Sequence, residues 1–210
     1  MSVVCSCPAA TALTSIPGLT CGENFGQIQK LAFQRIYSTG STRNTMTETS
    51  IKTLSDWQTL MAAADGTKVV VTPYVEAPTQ EGGDPITYGG GNETLGGAEE
   101  IVGRGASTIT FALRKYPQDI IKALKALQCE TQLGVWLFNE HGQIEGTLVS
   151  GTPGTDGVYA PIPIRSLFVG DKIHGGLEEP DNNSLQFAFL PNYSDDLVIV
   201  TPSFNPLLAL

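Results

Sequence analysis

The sequence predicts a mainly β protein: a β-sandwich or barrel-like antiparallel sheet with one flanking α-helix and a second short helix. Its 23 glycines and 13 prolines, against only 16% charged residues, describe a turn-rich chain rather than a helical one. Several short runs alternate apolar and polar residues with a period of two, the pattern of strands with one buried face. The stretch from Ser107 to Val149 combines these signals into a strand, a helix and a hairpin. At 210 residues the chain is long enough to bury a core as one domain.

Taken in order, residues 1–26 are small, polar and punctuated by proline and glycine, and read as an N-terminal arm. A β-rich domain is expected over 27–202, with a C-terminal arm at 203–210. The first strand spans about Gln27–Tyr37, with Leu31, Phe33 and Tyr37 on one side. Gln29 and Arg35 interrupt that face, so an edge or interface position is expected. STRNTMTETS (41–50) reads as a polar loop. Ser55-Asp56-Trp57-Gln58 has the spacing of a capping box and opens a short helix at 55–64. Trp57, Leu60, Met61 and Ala64 form its apolar face, and Asp65-Gly66 stops it. KVVVTPYV (68–75) is a strand stopped or edged by Pro73.

From Glu76 to Ala106 the chain holds nine glycines and two prolines with little period. A segment of that length is seldom an idle connection; it is either disordered or an arm that orders against something else. Next, Ile109, Phe111 and Leu113 alternate with Thr108, Thr110 and Ala112 in a strand. Pro117 fits the start of a helix at 117–129, and Ile120, Leu124 and Leu127, widened by Ile121 and Ala123, give it one buried face. Two strands then meet at a tight turn at Glu140-His141-Gly142. Trp136 and Phe138 share one face of the first, Val135 and Leu137 the other, so this strand is covered on both sides. Further strands follow at Ile162–Val169, at SLQFAFLP with Leu185, Phe187 and Phe189 inward, and at DDLVIVTP. The apolar tail SFNPLLAL wants a partner if exposed.

Recognised catalytic motifs are missing. There is no G-x-S-x-G, no G-x4-G-K-[ST] and no H-E-x-x-H. The glycines of 89–97 lack the following Lys-Ser or Lys-Thr of a phosphate loop, and Gly103-Arg104-Gly105 precedes a strand rather than a helix. His141 and His174 both sit in turns, where a solvated ring is the ordinary state; Glu140 and Glu145 flank the first. Cys5 and Cys7 are too close for a zinc knuckle, and with Cys21 and Cys129 they read as reduced thiols, a disulfide or a metal being the alternatives. No catalytic residue, cofactor or metal is expected. No apolar run is long enough to span a bilayer, and no signal peptide pattern opens the chain. Net charge is −9, which argues against sequence-independent binding to phosphate backbones. After Lys172 there is no Lys or Arg, while five acids follow.

The order of elements, two strands bracketing a long glycine-rich loop, then a helix and a hairpin, resembles the tail-tube fold of long-tailed bacteriophages. GENFGQIQKLAFQR, DWQTLMAAADGTKVVVTP and GGGNETLGG also resemble uncharacterised proteins of phages and prophages of Bacteroides-like bacteria. The likeness implies a non-enzymatic virion protein, assembled in the host cytoplasm as a homo-oligomeric ring, hexameric and stacked, that meets other virion proteins and lets DNA pass without specific binding. Residues 76–106 would be the stacking loop, with Glu81, Tyr88, Asn92, Leu95 and Ile101 as contacts; the tail would add Phe204, Leu207 and Leu208. An acidic lumen would avoid trapping phosphates, and Asp171, Glu178, Glu179 and Asp181 are its candidates; solubilising the outside is their ordinary alternative use. The helix at 55–64, lying before the loop, departs from the family pattern. A capsid decoration or head–tail connector protein is the alternative virion role, an unrecognised enzyme or binding protein a more distant one.

Overall fold

The computed structural model describes Ile16 and residues 24–210. The chain runs through β1 (Ile28–Arg35), β2 (Tyr37–Thr39), β3 (Thr42–Arg43), β4 (Met46–Thr47), α1 (Glu48–Ile51), α2 (Leu54–Ala62) and β5 (Val69–Val71). Next come β6 (Glu76–Glu81), β7 (Pro85–Gly89), β8 (Glu99–Arg104), β9 (Ser107–Arg114) and α3 (Gln118–Ala126). β10 (Leu133–Asn139), β11 (Ile144–Ser150), β12 (Val158–Ala160), β13 (Ile162–Val169), β14 (Asn182–Phe189), β15 (Leu197–Val200) and α4 (Pro206–Ala209) follow. Eleven strands form one curled sheet, and every strand pairing among the described residues is antiparallel. The fold is mainly β, as the composition and the period-two runs predict.

β1 and β10 form the middle of the molecule. They pair along their whole length, from Ile28↔Asn139 to Arg35↔Leu133. Their odd-numbered apolar residues Leu31, Phe33, Leu133, Val135 and Leu137 face one core, shared with β9, β13, β14 and α3. The even-numbered Ala32, Trp136 and Phe138 face a second core, shared with α1, α2, β5, β11 and the C-terminal segment. β10 is covered on both sides, as its unbroken apolar run predicts. One face packs into the core that also holds Ile121 and Leu124 of α3, and the other is covered by α2, whose Trp57 ring stands edge-on to Trp136 at 5.6 Å and to Phe138 at 5.7 Å.

Several local expectations are corrected. β1 is not an edge strand: β5 pairs with its free side, and the Thr72 and Val75 N–H groups extend that pairing to the Leu31 and Gln29 carbonyls. Its buried polar residues, Lys30 and Gln34, are each satisfied. The Gln34 amide donates to the Thr67 carbonyl at 2.8 Å and accepts from Trp136 Nε1 at 3.1 Å. The capping box at Ser55 does not form. α2 starts one residue earlier, behind Thr53, whose side chain makes no cap bond. The side-chain cap sits at Thr47, where the hydroxyl accepts from the Ser50 N–H and opens α1 inside the expected polar loop. That loop also contains β3 and β4, with Met46 buried, and Ile51 is buried just beyond it.

Glu145 is a half-buried acid without a cation within salt-bridge distance among the described residues. It lies on β11 between Leu137 and Ile199, and burial pushes its carboxyl up to about 7. Between the ordinary carboxylate range and pH 7 the folded state therefore holds more protons than the unfolded chain. Stability is present at low pH and falls as pH rises through 7. Glu145→Gln removes the ionisation; it is expected to stabilise the protein by about 2 kcal/mol at pH 8 and change little at pH 5. Urea unfolding at both pH values checks this, and an equal effect at both would contradict it.

Candidate functional site

Residues 76–114 form a single long hairpin in two parts. In the first, β6 pairs with β9, from Glu76↔Ala112 to Glu81↔Thr108, and belongs to the main sheet. In the second, β7 and β8 pair only with each other, from Pro85↔Arg104 to Gly89↔Glu99. Between them the strands cross closely at two glycines. A Cβ on Gly83 would lie 2.1 Å from the Gly105 carbonyl oxygen, so no side chain fits there. The Gly105 N–H donates to the Asp84 carbonyl at 2.8 Å and keeps the ladder continuous through this kink. The tip, residues 90–98, turns through glycines with positive φ and is tied by Thr94, whose hydroxyl accepts from the Gly90 N–H and donates to the Ala98 carbonyl.

The glycine-rich segment is thus a ribbon paired with itself, where its composition suggests either disorder or an arm that orders against something else. Its outer half buries little. Ile86 is 53%, Tyr88 59% and Ile101 65% exposed, on a ribbon with neither face covered. Two-stranded ribbons are marginal on their own in water, and these apolar side chains leave more than half of their surface to solvent. The root is held instead: Arg104 Nη1 donates to Asn192 Oδ1 at 2.9 Å, and Gln80 donates to the Tyr193 hydroxyl.

The remaining candidate contacts are scattered. Glu81 ends β6 exposed, Asn92 is exposed in the tip, and the side chain of Leu95 lies outside the described residues. Of the three tail candidates only Leu208, 80% exposed, is free to reach outward. Leu207 is buried in the second core and Phe204 packs against it. The tail's partner is the chain itself, through a device its sequence does not announce. Lys30 Nζ, on buried β1, donates to the main-chain oxygens of Leu207 at 2.9 Å and Leu210 at 2.8 Å. The Tyr74 hydroxyl donates to the same Leu207 oxygen, and burial lowers the Lys30 pKa. At the other terminus, Cys5, Cys7, Cys21 and most of the expected arm lie outside the described residues. Phe25 packs on the first core, and Cys129 is an exposed free thiol.

At the far end of β9 lies a cleft of about 450 Å3 between α3 and the ends of β13 and β14. Tyr116 and Ile121 form its apolar side; Lys122, Lys125, Lys172 and Asp171 form its polar side. Two of the four candidate lumen acids are spoken for here. Asp171 meets Lys125 at 2.5 Å, and this lysine holds its carboxyl below the usual range. Asp181 lies 3.6 Å from Lys172 and 3.4 Å from His174; burial raises its pKa, but the Gly175 N–H and these two side chains outweigh it and lower it. Glu178 and Glu179 are exposed, with no cation within 4.0 Å among the described residues. His141 is 3.5 Å from Glu140 at the hairpin turn. Among the described residues no three His, Cys, Asp or Glu side chains converge on a common point, and no helix is long and apolar enough to cross a membrane. Comparison with protein-family models, curated proteins and solved structures finds no match.

Proposed function

We propose that this protein is a structural virion subunit that self-assembles into stacked rings forming a phage tail tube for DNA passage. The observation that carries the reading is the projecting ribbon of residues 83–105. Ordering a residue costs about 1–2 kcal/mol, and a ribbon with Ile86, Tyr88 and Ile101 facing water gains little within its own chain. Docking on another subunit supplies the missing burial. The curled antiparallel sheet flanked by α3 and the acidic balance of −9 agree with it. Glu178 and Glu179, the unpaired acids of the candidate set, are the ones this reading turns toward the lumen, where they keep a passing duplex from sticking.

Negative-stain electron microscopy of the concentrated protein tests the proposal. Rings or tubes with an open channel are expected, growing with concentration. A monomer at every concentration would overturn it, and a closed trimer that binds capsids would instead indicate a decoration protein.

A further inference from the structure

We infer that the lysine-lined cleft between α3 and the ends of β13 and β14 receives the acidic hairpin tip of a second copy of this chain. The inference rests on the assembly reading above and names the surface on which the arm docks.

Charge complementarity is the first support. In residues 83–105 the charged side chains are Asp84, Glu93, Glu99, Glu100 and Arg104. Arg104 is engaged at the root by Asn192, so the distal part carries Glu93, Glu99 and Glu100 and no base. The cleft gathers three of the chain's twelve basic residues. Lys125 is paired with Asp171 and Lys172 faces Asp181, whereas Lys122 has no carboxylate within 4.0 Å among the described residues. The charges of Lys125 and Lys172 are thus largely offset by Asp171 and Asp181, and Lys122 supplies the unpaired positive charge of the cleft. Tyr116 and Ile121 give the cleft an apolar side, which suits a ribbon that carries exposed Tyr88 and Ile101 behind its acidic tip.

Placement is the second. The arm leaves the sheet at Ser107, the first residue of β9, and the cleft begins at Tyr116, just past its last residue, Arg114. Eight residues of strand at about 3.3 Å each set the two features roughly 25 Å apart, at opposite ends of one element. No residue of the chain's own tip lines the cleft. A tip and a cleft are different patches, so unless two subunits exchange arms reciprocally they join head to tail, and such contacts close into rings or propagate. A stack of subunits is the natural product.

The decisive experiment uses two full-length variants, each checked for unchanged circular dichroism and thermal unfolding. Lys122→Glu with Lys172→Glu reverses the cleft, and Glu93→Lys with Glu99→Lys and Glu100→Lys reverses the tip. Each alone is expected to raise the concentration for half-assembly by about tenfold or more. Mixed in equal amounts they regain assembly near the wild-type concentration, because every contact in an alternating stack then joins opposite charges. If the wild type assembles and either variant assembles equally well, or the mixture gains nothing, the cleft is not the receiver, while the assembly reading stands. A wild type that stays monomeric overturns the assembly reading and this inference together.

Discussion

Replacing residues 84–105 by an Asn-Gly turn between Gly83 and Ala106, which keeps the register of Glu81 opposite Thr108, should abolish higher-order assembly while leaving the folded monomer almost unchanged. The excised segment contributes nothing to either core, and β7 and β8 pair only with each other. Asn-Gly favours the two-residue turn that closes an antiparallel pair, so β6 and β9 keep their ladder. Loss of monomer stability should stay within about 0.5 kcal/mol, the usual range for changes away from the core. Sedimentation velocity across a hundredfold concentration range, beside a thermal unfolding curve, measures both quantities. Assembly unchanged by the excision would remove the arm from the assembly reading; a monomer that fails to fold would show that the ribbon serves the fold itself.

Trp136→Ala should lower stability by about 3–5 kcal/mol, the loss typical for removing a buried aromatic ring. That is a large part of the roughly 5–15 kcal/mol that holds a domain folded. Three neighbours are fitted to this ring. Trp57 stands edge-on at 5.6 Å. Position 146 is glycine because a Cβ there would sit 2.5 Å from Trp136 Cζ3. The Gln34 side-chain oxygen accepts the indole N–H inside the core and loses its donor when the ring goes. Trp136→Phe keeps most of the volume and loses the hydrogen bond, so it should cost less than half as much. Urea unfolding followed by far-ultraviolet circular dichroism compares the two; equal losses would place the cost in the hydrogen bond rather than in the cavity.

The sequence by itself determined those elements whose apolar pattern is carried on consecutive residues. The alternation of Ile109, Phe111 and Leu113, the stripe through Ile121 and Leu124, and the two-sided run 133–139 each specify an element and its buried faces from local spacing. The same holds for Leu185, Phe187 and Phe189 on β14. The candidate arm was legible as a segment with an unusual composition, because nine glycines in 31 residues mark a special backbone. Its form was not. β6, β7 and β8 have little alternation because none of them has a buried face, and a strand without a buried face leaves no periodic trace.

Tertiary structure alone decided the features that join distant residues through polar groups. Gln29 and Arg35 suggest an exposed edge when read locally, yet β1 is central, because Gln34 finds Thr67 and Trp136, and Lys30 finds the oxygens of Leu207 and Leu210. A buried polar residue is tolerable only with its partner present, and that partner lies as many as 180 residues away. The tail shows the same dependence: its leucines signal that burial is needed, but the choice between another subunit and the chain's own core rests on where Lys30 and Tyr74 stand. The cleft is the extreme case. Lys122, Lys125 and Lys172 share no local pattern, and only the packing of α3 against β13 and β14 makes them neighbours at the end of the molecule opposite the arm.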